Sequence, residues 1–533
     1  MTKFNNIITK SNLSLIFLTI FLITFSLFYD LEPGIDQIRH ISWAQSLSDS
    51  DHLIDFNLFK SSSTFFIKDE NGFLFNLLKT GYTDIGHLFN LFPILLLYIL
   101  NLTFFSPIII FNFISIFFFT LNTFIAFLLF NKIYKDSLFK FSNKVINLLL
   151  LLSLIPSYLF YYSSLGVHNI SLFFYLLSVF IIYDFNESTY RYKFPLLILI
   201  STLGIYSHKI NLIFIPCLIT YYFLSHRDYM TVVKYILLKF IIILPIIVIF
   251  FLAPDSITST KKFADFDFSF GTLLGNHLNW LINLNKTLGP ILIFFLIFGI
   301  WDLKKNFKKN RLILMIILIH LICYIFITTF SVYYVRTNLY ITHIVIILSF
   351  AGFLKLHKNN SVKIKYILMF SYFAHLLWNT LPIVDFKERI FLNKDLNSYF
   401  LNNKKIKTSI NEISEMIGAK NKIIYFDDRV KDYFLIYQKD LYKNNSLNIN
   451  TIRNLSSNKI AVGEYDLSKL KDNNLLLISL EFNHDIIEQA MFRTNKKYEQ
   501  KLNNCTIFLE NIYVKKSVEF RNQSIFLDKI KCY

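Results

Sequence analysis

Two polar side chains that follow the first apolar segment have the types and the spacing for acid–base chemistry. A Pro33-Gly34 pair ends one element, and Asp36 then lies in the first turn of a predicted helix, where the helix dipole favours a carboxylate. Asp36 and His40 are four residues apart, so both project from one face of that helix. A carboxylate held there can act as a general base or bind a divalent ion. We predict Asp36 and His40 as catalytic residues.

A second acid and histidine lie at the end of the same polar segment. Asp84 and His87 are placed where the chain becomes apolar again, and we expect them to face the same cavity as Asp36. Asp84 is therefore predicted as a third catalytic residue. Asp36 and Asp84 are the candidate ligands of a divalent cation, and the sequence leaves open whether any metal or other cofactor is used.

Further polar side chains interrupt the apolar sequence that follows. His168 lies in a predicted short turn, His208 and Lys209 break a long apolar run, and Arg336 is the only charge in its loop. Ionisable groups beside membrane spans are costly, which makes each one a candidate functional residue. Lys binds phosphate as a point charge and Arg binds it bidentately. The predicted substrate-binding residues are His87, His168, His208, Lys209 and Arg336.

The composition is that of a polytopic membrane protein. Of 533 residues, 54% are hydrophobic, 18% are aromatic and only 17% are charged, which excludes a soluble enzyme of ordinary composition. The first apolar run, Leu13–Phe28, has no small-residue cleavage site after it, so we interpret it as a retained helix. The net charge of +18 is concentrated in short loops between apolar runs. That pattern orients a membrane protein and gives no indication of nucleic-acid binding.

The apolar runs predict about eleven transmembrane helices, and the basic loops place the N-terminus in the cytoplasm. In one arrangement Ile108–Phe130 spans once and residues 194–206 and 210–224 are separate spans. In the other, the block from His87 to Phe130 crosses twice and residues 194–224 form one long helix. Both arrangements put the first loop, residues 30–86, and the C-terminal part outside the cytoplasm. The predicted transmembrane domain is residues 1–384.

Residues 385–533 predict a small extracytoplasmic α/β domain, because the hydropathy falls and strand patterns appear. The predicted strands are residues 422–426, 475–480 and 506–514. Cys505 and Cys532 could form a disulfide if this domain is outside the cytoplasm. The predicted fold class is thus an all-α polytopic membrane protein with a small C-terminal α/β domain.

The first loop resembles that of the GT-C superfamily of integral-membrane glycosyltransferases, which includes protein O-mannosyltransferases and aminoarabinose transferases. Asp36-Gln37 followed by Ala44 is similar to the acidic motif of the family and its trailing small residue. Gly86-His87 leading to Pro93 is similar to the His-Pro-Pro region of many members. Gln37 replaces the frequent second acid and no Pro-Pro follows His87, which leaves metal use and the subfamily open.

Two later features are also similar to the GT-C pattern. His208-Lys209 in a broken helix resembles the Lys-Gly break of the family, although no Gly follows Lys209, and Arg336 resembles its phosphate-binding arginine. The resemblance implies a polyprenyl-phosphate sugar donor and transfer with inversion to a glycan, lipid or protein acceptor outside the cytoplasm. Asp36 would be the base, and Lys209 and Arg336 would stabilise the departing lipid phosphate. The implied location is the inner membrane of a bacterium, among membrane lipids.

Two other classes of function remain open at this point. An O-antigen polymerase or ligase also uses lipid-linked glycans, but such enzymes place their large external loop late in the chain. A lipid-sugar flippase or transporter predicts pseudo-symmetric halves and charges at mid-membrane. This sequence has no internal repeat and few charges within its apolar runs. The glycosyltransferase is the interpretation that the residues favour.

Overall fold

The computed structural model describes residues 41, 92–93, 96, 99, 107–133, 165–183, 190–208, 211–225, 228–252, 271, 274–275, 277–278, 290–305, 313–322, 325, 339–380, 407–418, 421–425, 428–445, 475–480, 507–520 and 523–532. These residues belong to two compact units. The first contains residues 112–380 together with residues 92 and 93. The second contains the described residues from 407 to 532 together with residue 41 and the described residues from 96 to 111.

Long apolar helices make up the described part of the first unit. In chain order they are α1 Pro107–Ile133, α2 Leu165–Tyr183, α3 Tyr190–Ile205, α4 Asn211–Ser225, α5 Tyr229–Leu252, α6 Pro290–Lys305, α7 Ile313–Ile322, α8 Leu339–Asn359 and α9 Val362–Thr380. Among the residues described, Ile108–Ile133 and Tyr340–Lys358 are long and apolar enough to cross a membrane.

The outer face of α5 shows how apolar these helices are. Leu237, Phe240 and Ile241 are each more than half exposed, while Tyr235 on the opposite face is buried. A row of large exposed apolar side chains is unfavourable in water and is typical of a surface that faces lipid or a partner. The exposure pattern of α5 therefore fits the membrane interpretation of the composition.

The described helices agree with the first of the two predicted arrangements of spans. Helix α1 continues without a break through Ile108–Phe130, and a turn at residues 206–208 separates α3 from α4. The alternative of one helix over residues 194–224 is therefore wrong. The total of eleven spans includes segments outside the described residues and stays a prediction.

The position predicted for His168 needs a correction, because this residue lies in the first turn of α2 and not in a loop. A polar sequence can continue a helix when neighbouring helices provide hydrogen-bond partners. The Asn122 side chain of α1 donates to Asn169 O at 3.0 Å, and the Asn169 side chain donates to Ser115 O at 3.3 Å. These contacts bury residues that a hydropathy pattern assigns to a loop.

Helices α6 and α8 cross at two glycines. A Cβ atom added to Gly299 would collide with the carbonyl oxygen of Leu348, and one added to Gly352 would collide with that of Phe295. The two backbones can approach this closely only because neither glycine has a side chain. Small residues play this role in helix packing within membranes, where no hydrophobic effect drives helices together.

The described C-terminal elements of the second unit form a four-stranded sheet with short helices. They are α10 at residues 407–416, β1 Lys422–Tyr425, α11 Asp428–Tyr437, α12 Lys439–Asn445, β2 Leu475–Leu480, β3 Ile507–Phe520 and β4 Gln523–Cys532. The strand order is β1-β2-β4-β3, with β1 and β2 parallel and the other pairs antiparallel. Strands lie in all three predicted segments, whereas β4 was not predicted. The location of this C-terminal part outside the cytoplasm stays a prediction.

Candidate functional site

Two of the predicted substrate-binding histidines lie against each other. His168 is in the first turn of α2, His208 is in the turn after α3, and their ring centroids are 4.4 Å apart with the planes tilted by 55°. His168 is buried and His208 is half-buried. Two imidazoles at this distance can direct ring nitrogens at one small ligand, as N–H donors to an anion or as lone pairs to a metal ion. We call these two residues the histidine pair.

The turn that carries His208 is held by the last residues of α3. The Gly204 carbonyl accepts hydrogen bonds from the backbone amides of Ser207 and His208, both at 3.2 Å, and the Asn211 amide donates to His208 O at 3.1 Å. A Cβ atom on Gly204 would lie 2.8 Å from the Ile215 side chain. Gly204 thus allows α3 to pack closely against α4 at this turn, and a larger residue would require the Ile215 side chain to shift.

The side chain of Asn211 connects this turn to α2. Its amide nitrogen lies 2.7 Å from Ser171 Oγ, 3.0 Å from Ser171 O and 3.0 Å from Gly204 O. The side chain is fully buried. Two N–H groups shared among three acceptors require one bifurcated hydrogen bond. Asn211 therefore joins α4 to both α2 and α3.

Tyr340, near the start of α8, completes this polar cluster. Its hydroxyl donates to Ser171 Oγ at 2.6 Å, and its ring centroid lies 6.5 Å from that of His208. The side chain is fully buried. Ser171, Asn211 and Tyr340 form a set of buried hydrogen bonds beside the histidine pair, and we call them the Ser171 cluster.

Another polar contact, between Tyr175 of α2 and His320 of α7, lies further along α2. His168, Ser171 and Tyr175 are spaced by three and four residues, so they share one face of the helix. The Tyr175 hydroxyl lies 3.3 Å from His320 Nδ1, which is also 2.8 Å from Ile316 O. His320 stacks on a phenylalanine ring of α4 at 4.4 Å. One face of an otherwise apolar helix is thus polar from the histidine pair to His320.

The other predicted site residues fall outside the described part of the chain. They are Asp36, His40, Asp84, His87, Lys209 and Arg336. Cys505 lies outside it as well, while Cys532 is in β4, so the disulfide stays a prediction. Among the described residues there is no group of three or more histidine, cysteine or acidic side chains arranged to hold a metal ion. The roles of all eight site residues stay predictions.

The sequence analysis missed the residues that hold the histidine pair. Ser171 and Asn211 are uncharged, and their partners are on other helices, so no local pattern indicates them. The available signal was the polar spacing along α2. Lys239 was also missed: it is buried in α5, and its ammonium donates to Ile198 O at 3.0 Å and to Thr202 Oγ1 at 2.6 Å. It anchors α5 to α3, the helix that leads into the His208 turn.

The fold is similar to that of solved structures of another protein. No protein-family model matches the chain, and no curated protein matches it by sequence. The crystal structure of ArnT from Cupriavidus metallidurans in the apo state matches with a TM-score of 0.54 and 8% identity, over 95% of this chain and 97% of that one. The structure of the same protein bound to undecaprenyl phosphate matches with a TM-score of 0.50 and 9% identity, over the same shares of the two chains. The chain therefore shares the fold of ArnT over nearly its whole length, and this likeness agrees with the fold that the resemblance inferred from its sequence implies.

Proposed function

We propose that this protein is a membrane glycosyltransferase that moves a sugar from a polyprenyl-phosphate donor to an acceptor outside the cytoplasm. The observation that carries the proposal is the fold shared with ArnT over 95% of the chain. One of the ArnT structures was solved with undecaprenyl phosphate, so a protein of this fold can bind such a lipid. The acceptor is a glycan, a lipid or a protein.

The proposed reaction is a single displacement at the anomeric carbon of the sugar. An acceptor hydroxyl attacks that carbon, its proton passes to the Asp36 carboxylate, and the bond from the carbon to the phosphate oxygen breaks. One in-line displacement inverts the anomeric configuration. A carboxylate base supplies about 10²–10⁴-fold of the rate enhancement, so positioning and phosphate stabilisation must supply the rest.

The lipid phosphate leaves with negative charge, and the proposed groups that stabilise it are Lys209 and Arg336. The histidine pair supports this assignment, because His208 directly precedes Lys209 in the chain. Imidazole N–H groups of His168 and His208 can donate to phosphate oxygens beside the lysine. We assign the pair to binding of the donor phosphate.

The proposed location is the inner membrane of a bacterium, with the N-terminus in the cytoplasm and the C-terminal unit outside. Its supports are the apolar composition, the basic loops and the two described helices that are long enough to span. A polyprenyl tail is retained in the bilayer, which explains why an enzyme that uses it would be a membrane protein. The C-terminal unit would then be available to dock the acceptor.

The test is transfer of a radiolabelled sugar from polyprenyl-phosphate donors in membranes. Wild type, Asp36→Asn and the matched control Asp49→Asn, which removes a nearby loop carboxylate, are compared at equal expression. We expect transfer by wild type and the control and its loss in Asp36→Asn. Transfer that survives Asp36→Asn would remove Asp36 as the base. Repeating the assay with EDTA tests for a divalent cation held by Asp36 and Asp84.

A further inference from the structure

The turn that carries His208 is fixed to α3 by backbone hydrogen bonds and by the Ser207 hydroxyl, which donates to Leu203 O at 2.6 Å. The amides of Ser207 and His208 bond to Gly204 O, which sets the shape of the turn but not its distance from α2. His168 is on α2, so the geometry of the histidine pair depends on what connects the two helices at this point.

Asn211 makes that connection from both ends of the turn. Its backbone amide bonds to His208 O, and its side chain bonds to Gly204 O before the turn and to Ser171 on α2. Asn211 thus holds the turn at two places, at the carbonyl of Gly204 before the turn and at the carbonyl of His208 itself. Because the side chain is fully buried, water cannot replace these bonds.

Ser171 transmits this constraint to His168. The two residues are three positions apart on one face of α2. Hydrogen bonds that hold Ser171 in place therefore also hold the first turn of α2, which carries His168. Ser171 Oγ accepts hydrogen bonds from both Asn211 and the Tyr340 hydroxyl, at 2.7 and 2.6 Å. Tyr340 therefore adds a constraint from α8 to the same atom.

We propose that Asn211 is a positioning residue whose side-chain amide, acting through the Ser171 cluster, holds His208 against His168. The consequence for sugar transfer rests on the proposed function, whereas the geometric claim does not. Donation is the essential property of this side chain, since it faces three oxygen acceptors. An aspartate at 211 would place a carboxylate against two carbonyl oxygens, and a leucine would leave all three acceptors without this donor.

The test measures the proximity of positions 168 and 208 directly. His168→Cys and His208→Cys are introduced into a chain whose four native cysteines are replaced, and a short bifunctional thiol reagent is applied to membranes. The rate of intramolecular cross-linking is compared with and without Asn211→Leu. We expect a fall of about fivefold, since a buried hydrogen bond changes a conformational equilibrium by roughly that factor.

The matched control lies two helical turns further along α2. Ser178 is buried like Ser171, but its hydroxyl bonds only to Phe174 O of the same helix, at 2.7 Å, among the hydrogen bonds described. We expect Ser178→Ala to cross-link like the parent, and Ser171→Ala combined with Tyr340→Phe to cross-link more slowly. If Asn211→Leu fails to fold, this double variant carries the test. Unchanged cross-linking in every folded cluster variant would overturn the proposal.

The transfer assay separates the two claims. A positioning role predicts that Asn211→Leu raises KM for the polyprenyl-phosphate donor more than it lowers kcat, because the pair is assigned to donor binding. A fall in kcat with no change in KM would contradict this role. If cross-linking is slower in the cluster variants but the wild-type protein transfers no sugar, the positioning of the pair is supported and the proposed function is not.

Discussion

The ring centroids of His168, in the first turn of α2, and His208, in the turn after α3, lie 4.4 Å apart. The contact depends on the turn between α3 and α4. An uninterrupted apolar run would form one continuous helix without this turn. His208 and Lys209 interrupt that run, and the fully buried Asn211 fixes the turn in place. A polar break in the sequence thus becomes a position from which two histidines can reach one ligand.

The histidine pair should contribute to donor binding. For the double variant His168→Ala/His208→Ala we expect KM for a polyprenyl-phosphate sugar to rise about tenfold or more, because hydrogen bonds to a charged group are each worth about 1.5–3 kcal/mol. Initial rates at several donor concentrations measure this. His277→Ala, which changes a histidine of another described segment, is the control. An unchanged KM in the double variant would remove the pair from the donor site.

The glycine crossing of α6 and α8 should be intolerant of any side chain. Gly299→Ala places a methyl group against the Leu348 carbonyl, so the helices must separate. We expect a loss of about 1–3 kcal/mol, typical of overpacking in a tight contact. Thermal stability in detergent, followed by size-exclusion chromatography, measures it. Gly271→Ala is the matched control, since a Cβ there meets no atom within 4 Å. Equal melting temperatures for the two variants would contradict the close approach of α6 and α8 at Gly299.

Lys239 and Thr202 should respond differently to substitution. Lys239→Met removes a buried cation and leaves Ile198 O with its bond from the Thr202 hydroxyl at 2.7 Å, so we expect stability to change by less than about 1 kcal/mol. Thr202→Val leaves the ammonium buried with one of its two described acceptors, and we expect a loss of about 1–3 kcal/mol. Melting of the two variants in one detergent compares them. A larger loss of stability for Lys239→Met than for Thr202→Val would contradict this prediction.

Tyr513 should ionise only in strongly alkaline solution. Its hydroxyl donates to Glu412 Oε2 at 2.5 Å, and burial, this hydrogen bond and the negative charge of Glu412 raise the pKa of Tyr513. The native state therefore favours the neutral phenol. Its contribution to stability is complete below the unfolded pKa of about 10 and is lost as the pH rises through the folded pKa. The absorbance at 295 nm of wild type minus Tyr513→Phe should show one transition above pH 10, and a transition at or below 10 would contradict this.

The helices were largely predictable because apolar length marks them directly. The predicted spans at residues 170–183 and 233–252 match α2 and α5 except that the helices begin earlier, at Leu165 and at Tyr229. The start of α2 was placed too late because the Asn169 side-chain amide donates a hydrogen bond to Ser115 O of α1, a long-range contact that hydropathy does not record. Strand β4 was missed because its pattern becomes meaningful only when it pairs with β2 and β3.

The site was predictable only where charge or histidine stands out from an apolar background. His168 and His208 were found for that reason. The Ser171 cluster was not, because serine, asparagine and tyrosine are ordinary residues of helices and acquire a role only through partners on other helices.

The proposed enzyme cleaves a polyprenyl-phosphate sugar and transfers the sugar, so both halves of the reaction can be followed together. The most direct measurement uses the purified protein in lipid vesicles with a labelled donor and an extract of acceptor lipids, glycans and proteins, and it follows release of free polyprenyl phosphate. We predict release that matches transferred sugar mole for mole and stops in Asp36→Asn. Movement of intact lipid-linked sugar across the bilayer without cleavage would contradict the account and identify a flippase.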